Sequence, residues 1–321
     1  MEWSFVYMVV GFALASYSIV ANDAIQTLGT FLSSNSKRPW WVLWLFAVSV
    51  LTVTIVYGWF AYNGDVSYGR LSAKFPVPEV FSWIHVIPPL AIVILTHYGI
   101  PVSTTFLVLT VFAPKALSSI LVKSISGYAV AFVVGYLVYR VVVAALEKKF
   151  IDKPSDSSMT IWSTLQWIST GFLWSQWLIQ DLANIFVYMP TRTLSVTQLL
   201  IALAVLLGLH GLIIYRSGGK IQKIVTNKTQ THDIRSATII DFIYALILLF
   251  FKQISNIPMS TTWVFLGLLA GREIAMTIKL KQRDMKGVTR MVFQDMGKAF
   301  LGLIVSVVLA LGLPYVAKFI G

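Results

Sequence analysis

The chain has 321 residues, 57% of them hydrophobic and 12% charged, with a mean hydropathy of +0.77 and a formal net charge of +12. A soluble domain carries about 25% charged residues, so a water-facing surface is excluded; with no cysteine, disulfides, thiolate metal sites and a cysteine nucleophile are excluded too. The basic excess does not indicate nucleic acid, because Lys and Arg fall between apolar runs (Lys37 and Arg38, Lys148 to Lys153, Arg216 to Arg235, Arg272 to Arg290), as in the short loops of a helical membrane protein.

In chain order, "MEWSFVYMVVGF" has no basic n-region and runs into a first apolar span, so it reads as a membrane helix and not a cleaved leader. That span ends at "ANDAIQTLGT" (21–30), where Asn22, Asp23 and Gln26 sit among apolar neighbours. Trp40–Trp59 follows, near the ~20 residues that cross a bilayer, then "IPVSTTF" (100–106) and the run Tyr128–Leu146. "EKKFIDKPSDSSMT" (147–160) is the most polar interior stretch and reads as a connecting loop between a first transmembrane repeat, 1–146, and a second, 161–321. The second half carries "IQDLANIFVY" (179–188), the run Val196–Tyr215, "IPMSTTW" (257–263) and the run Ala299–Val316. The apolar stretches are continuous and not alternating, which argues against a barrel. The expected class is an all-α polytopic membrane protein.

The polar motifs repeat. Asp181 lies 158 positions after Asp23, and Ser260-Thr261-Thr262 lies 157 after Ser103-Thr104-Thr105, in the same order and each behind Ile-Pro. Duplicated halves with interrupted hydrophobic segments point to a secondary-transporter site at the repeat interface. Pro101 and Pro258 fit the first position of a helix, where a missing N–H costs nothing. The hydroxyls would then line a helix N-terminus, whose free N–H groups favour an anion. Ser and Thr satisfying neighbouring carbonyls in a bundle is the plainer alternative.

Asp23 and Asp181 are ionisable groups inside apolar runs, which marks them as functional candidates. The amides beside them (Asn22 and Gln26, Gln180 and Asn184) supply hard oxygens suited to Na⁺. A carboxylate could carry a proton instead, or Asn22-Asp23 could simply cap a helix. Neither motif pair contains Lys or Arg, so a bound anion would need helix termini and a co-bound cation. Arg192 and Arg272 could line an approach or snorkel at the interface. Asp241 and Asp295 are weaker candidates for buried pairs with Lys252 or Lys298. The four histidines show no ligand spacing.

Together these residues resemble the inorganic phosphate transporter (PiT) family, which carries an Asn-Asp signature and then a Pro-Val-Ser-Thr-Thr-His signature in each half. Asn22, Asp23 and Gly29 match the first copy and Asp181 and Asn184 the second; Pro101 to Thr105 and Pro258 to Thr262 match the hydroxyl motifs. Gln26 and Gln180 stand where the family has Asn, Val187-Tyr188 where Gly-Pro is usual, and Phe106 and Trp263 where it has His. The resemblance implies two inverted repeats with discontinuous helices and two re-entrant helical hairpins. It further implies cation-coupled symport of phosphate, driven by Na⁺ or H⁺, in a bacterial inner membrane, with no other cofactor. Sulfate is the alternative, because the family includes sulfate permeases, and association into a homodimer is allowed. Ser103, Thr104, Thr105, Ser260, Thr261, Thr262, Asn22 and Gln180 would contact the anion; Asp23, Asp181, Asn184 and Gln26 would hold the cation, with Na⁺ at Asp23 and Asp181. Two retained carboxylates favour phosphate, which keeps a proton to donate, over sulfate, which has none.

A membrane enzyme would need a nucleophile–base pair or a metal cluster, and the sequence offers none, so no catalytic residue is expected. A scaffold would not need matched polar motifs in both halves.

Overall fold

The computed structural model describes residues 2–72, 74–98, 100, 102–140, 159–219, 221–222, 234–280 and 285–320. Pro101 and residues 147–158 of the expected connecting loop lie outside them, while Met159 and Thr160 already belong to a helix. Among the described residues all regular structure is helical.

The chain opens with α1 (Glu2–Ile19), a single widened π-turn (Val20–Ala24) and α2 (Ile25–Ser34), which together form one continuous rod. A π-turn inserts an extra residue without unwinding the helix, and such turns concentrate at functional sites. The expected break at Asn22-Asp23 is therefore this widened turn, and the capping alternative falls, because both residues are inside the helix. α3 (Trp40–Ala61) is apolar on every side, as lipid requires, with Trp41 half exposed at its start and Phe60 strongly exposed near its end. α4 (Trp83–His97) contains Pro88 and Pro89; α5 (Thr104–Phe112) is short; α6 (Leu117–Val138) follows.

The second half comprises α7 (Met159–Phe186), α8 (Val196–Tyr215), α9 (Ile234–Ile254), α10 (Thr261–Leu280) and α11 (Met285–Ile320). α7 runs unbroken through Asp181. It buries Gln166, Thr170, Gln176, Gln180, Asp181 and Asn184, a polar stripe that only a protein-lined interior can accommodate.

Among the described residues six helical segments are long and apolar enough to cross a bilayer: Glu2–Ser34, Trp40–Ala61, Pro114–Val138, Val196–Tyr215, Ala237–Ile254 and Met285–Leu313. The chain is accordingly a multi-pass helical membrane protein. Its helix pairs match when the halves are exchanged: α1 packs on α4 as α7 does on α9, α10 on α6 as α5 does on α11, and α3 meets α8.

The α6–α10 contact is close because glycines face it. A Cβ at Gly135 would come within 2.6 Å of the Leu268 carbonyl oxygen, and one at Gly267 or Gly271 would collide with the carbonyls of Tyr128 or Phe132. Gly267 and Gly271 form a Gly-x-x-x-Gly pair, the spacing that lets membrane helices approach backbone to backbone. The segments after α3 and α7 are stapled together. Leu194 N–H donates to Gly64 O at 2.9 Å, Trp59 Nε1 to Leu194 O at 2.8 Å, and Arg192 Nε to Phe75 O at 2.9 Å.

Candidate functional site

Both hydroxyl motifs end as helix caps. α5 begins at Thr104, and Ser103 Oγ accepts the Phe106 N–H at 3.3 Å; α10 begins at Thr261, and Ser260 Oγ accepts the Trp263 N–H at 3.2 Å. Pro258 therefore precedes the helix instead of opening it, because serine is the better N-cap and takes that place. The helix starts at Thr104 in the first half as well, three residues beyond Pro101. The serines spend their oxygens on the backbone. The threonines of the first turn are left to face the centre, all of them buried.

Those threonines meet the carboxylates. Thr104 Oγ1 donates to Asp23 Oδ2, and Thr262 Oγ1, from the other half, lies 3.4 Å from Asp23 Oδ1. Thr105 Oγ1 donates to Asp181 Oδ1 at 3.2 Å, and Thr261 lies beside the same carboxylate. Thr105 also reaches Met259 O and Thr262 reaches Val102 O, both at 3.3 Å. Each motif thus bonds the backbone in front of the other motif. Asp23 and Asp181 are 1% and 0% exposed and close enough for their charges to repel.

The amides orient these carboxylates. Asn22 Nδ2 donates to Asp23 Oδ1 at 2.6 Å and to Val102 O at 2.9 Å; Asn184 Nδ2 donates to Asp181 Oδ1 at 2.8 Å and to the Thr104 and Thr105 hydroxyls at 3.1 and 3.2 Å. Gln180 Nε2 donates to Leu248 O at 3.2 Å. With their N–H groups so engaged, these amides keep their oxygens free: among the described residues Asn22 Oδ1, Gln180 Oε1 and Asn184 Oδ1 are buried without a hydrogen-bond partner, as is Asp181 Oδ2. A buried polar atom left this way costs about 1–3 kcal/mol, and all four are oxygens, the ligand type a hard cation takes. Gln26 is buried too, but its unpartnered atom is Nε2, a donor. Of the twelve residues expected of the site, Asn22, Asp23, Thr104, Thr105, Asp181, Asn184, Thr261 and Thr262 are joined by direct contacts; Ser103 and Ser260 cap the helices, Gln180 bonds Leu248 O, and Gln26 is buried. Among the described residues no group of three or more His, Asp and Glu side chains could hold a metal.

The outlying expectations fare differently. Asp241 is not paired with Lys252; both its oxygens accept hydroxyls, from Thr30 at 2.6 Å and Thr170 at 2.5 Å, while Lys252 stands 5.8 Å from the Tyr68 ring. Asp295 is partly exposed and Lys298 exposed. Arg192, half-buried, binds the carbonyls of Phe75, Pro76 and Val187. Arg272 is buried against Glu273 and the Tyr139 ring. His85 and His210 pack, against Phe112 and Trp174 respectively. Phe106 and Trp263 face each other across the halves with ring centroids 5.8 Å apart.

One residue escaped the sequence reading. Arg70, in the loop after α3, is 2% exposed and within the electrostatic reach of Asp181. The motifs contain no basic residue, but the fold delivers one. Its only sequence signal is "DVSYGR" (65–70), a short acid–serine–glycine turn that could aim the residue after it.

No protein-family model and no curated protein matches the chain. A solved structure described as "The sodium-dependent phosphate transporter" does, at TM-score 0.65 and 17% identity over 100% of both chains, so the chain has the fold of that transporter along its whole length.

Proposed function

We propose that the chain is a cation-coupled symporter, not an enzyme, that carries inorganic phosphate across the cytoplasmic membrane, the inner membrane of a bacterium. The observation that carries this reading is the crossed contact of the two hydroxyl motifs with Asp23 and Asp181, beside four unpartnered oxygens. Two buried, mutually repelling carboxylates call for positive charge, and the donor set of carboxylate, amide and hydroxyl oxygens fits Na⁺. The name of the structural neighbour supports the same driver.

In this reading Asp181 Oδ2, Asn22 Oδ1, Asn184 Oδ1 and Gln180 Oε1 hold cations. Gln180 and Asn22 thereby move from the anion to the cation, because their free atoms are acceptors. Gln26, with a free N–H, moves the other way. Once cations occupy the acceptors, the Thr104, Thr105, Thr261 and Thr262 hydroxyls are freed from the carboxylates and turn to the anion, with Ser103 and Ser260 holding the helix starts in place. The cation then binds first and the anion only after it, so the anion crosses only with its cation, which is the requirement for symport. Phosphate suits the site better than sulfate, since its remaining proton can be donated to a carboxylate.

The matched helix pairing supports two repeats, 1–146 and 161–321, of inverted topology. In them α4–α5 and α9–α10 are re-entrant hairpins, and the hydroxyl motifs stand where α5 and α10 begin. Transport in this scheme is a movement of these hairpins about the central site.

The test is uptake of radiolabelled phosphate, and separately sulfate, into proteoliposomes under a Na⁺ and then a proton gradient. Phosphate uptake that needs the Na⁺ gradient and disappears in Asp23→Asn supports the proposal. Sulfate uptake alone reassigns the substrate, dependence on the proton gradient reassigns the driver, and absence of both uptakes removes the transport reading.

A further inference from the structure

The loop between α3 and α4 is built as a rigid arm. Asn63-Gly64 and Tyr68-Gly69 have φ of 51°, 94°, 58° and 76°, two left-handed pairs in which Tyr68 above all depends on local bonding to hold it there. Asp65 supplies that bonding. Its Oδ1 accepts Ser67 N–H at 2.7 Å and Ser67 Oγ at 2.5 Å, and its Oδ2 accepts Gly69 N–H at 3.1 Å. The Tyr68 hydroxyl donates to Thr54 O at 2.6 Å, and the Gly64 carbonyl is tied to Leu194.

This arm pushes Arg70 into the protein. Arg70 Nε and Nη1 are buried, and among the described residues neither has a hydrogen-bond partner. Asp181 is within its field, yet no ion pair joins them, and Asp181 Oδ2 is unpartnered as well. Burial draws the Arg70 pKa down to about 10 while Asp181 holds it up, so the guanidinium stays charged at neutral pH.

Arg70 also stands within the field of Lys123 and Lys252. Lys123 Nζ donates to Ser255 O at 2.8 Å and Ile257 O at 2.5 Å, which places it on the tip that leads into Ser260. Lys252 Nζ stands 5.8 Å from the ring of Tyr68 on the same arm, so the guanidinium lies between the field of Asp181 and that of the basic residues near a hydroxyl-motif tip. A buried cation with free N–H groups is unfavourable unless an anion completes it.

We propose that Arg70 is a ligand of the transported anion, supplying the positive charge that the two hydroxyl motifs lack. The proposal rests on the transport reading above and adds the residue that carries the anion's counter-charge. A planar guanidinium offers parallel N–H donors that match two oxygens of one tetrahedral oxyanion, so the site selects phosphate or sulfate over halides. Lys123, bonded to the Ser255 and Ile257 carbonyls, and Lys252 stand on the side of that tip from which the anion would approach Arg70.

The experiment compares wild type, Arg70→Gln and Arg70→Lys in proteoliposomes, reading phosphate and sulfate uptake under a Na⁺ gradient and, separately, equilibrium binding of ²²Na⁺. The expected result for Arg70→Gln is a half-saturating anion concentration raised about ten-fold or more, with ²²Na⁺ binding within about two-fold of wild type. Arg70→Lys recovers part of the loss, as a point charge without the fork should. If Arg70→Gln also loses ²²Na⁺ binding, Arg70→Lys decides: a raised half-saturating concentration with Na⁺ binding kept is the expected result. Anion affinity unchanged in Arg70→Gln overturns the proposal and leaves Arg70 as a counter-charge to Asp181, with the transport reading intact. Wild type that takes up neither anion overturns both.

Discussion

Thr262 Oγ1 lies 3.4 Å from Asp23 Oδ1, so a hydroxyl from the second half touches the carboxylate of the first. Its counterpart, Thr105 Oγ1, lies 3.2 Å from Asp181 Oδ1. Each half therefore leaves its own carboxylate partly dependent on the other half's helix start. Neither half holds a complete site by itself, and displacement of one tip changes the surroundings of both carboxylates.

Thr262→Val and Thr105→Val keep the shape of the side chain and remove the hydroxyl. A hydrogen bond of this kind contributes ~1 kcal/mol, so each variant should raise the half-saturating anion concentration roughly five-fold. Because both belong to one network, the double variant should lose less than the sum of the two. Uptake kinetics of the three variants check this; strictly additive losses would place the two threonines in separate sites.

Asp23→Asn and Asp181→Asn separate charge from shape. In Na⁺-free medium each should melt higher than wild type, because one of two repelling buried carboxylates is gone. In Na⁺ the order should reverse. A cation at 100 times its dissociation constant stabilises the wild type by about 2.7 kcal/mol, and neither variant should gain it in full. Melting in NaCl against choline chloride reads both effects. Asp241→Asn should keep the full Na⁺ shift, since the Asp241 oxygens are taken by Thr30 and Thr170.

The repeated motifs were legible because they are local: seven letters recur almost unchanged, and carboxylates stand out in hydrocarbon. The membrane class followed from the low charge content together with apolar runs of bilayer length. The π-turn was not legible. Val20–Ala24 contains nothing that forbids an ordinary helix, so the widening is set by packing around Asn22 and Asp23. The prolines misled because Pro and Ser both suit a helix start, and only the backbone decides which takes the cap. Asp241 was read with the wrong partner because its hydroxyls come from α2 and α7, Thr30 lying 211 residues away. Arg70 was missed for the reason that it matters. It lies in a polar loop, where a basic residue is ordinary, and becomes unusual only when three-dimensional folding buries it.

Asp65→Ala tests the arm that carries Arg70. The substitution removes acceptors for Ser67 N–H and Gly69 N–H, and should lower stability by ~1–2 kcal/mol. With the arm loosened, Arg70 should also weaken its hold on the anion, so affinity should fall in the same direction as for Arg70→Gln, but by less. A stability loss with unaltered anion affinity would mean that Arg70 keeps its position without Asp65.

Gly271→Ala tests whether the α6–α10 contact fixes the second hydroxyl motif. A Cβ at Gly271 would strike the Phe132 carbonyl and stand 2.8 Å from Tyr136 N, both backbone atoms that no rotamer change can move. The helices must therefore separate, at a cost of about 1–3 kcal/mol or more. α10 carries Thr261 and Thr262 at its start, so the separation should be felt at Asp23 and Asp181 as reduced anion affinity, not only as a lower melting point. Gly297→Ala, on α11 with open space around it, is the control and should change neither. If Gly271→Ala lowers the melting temperature while leaving affinity at the wild-type value, the α6–α10 contact supports the bundle but does not position the hydroxyl motif. Loss of both together would make that glycine pair part of the site's geometry.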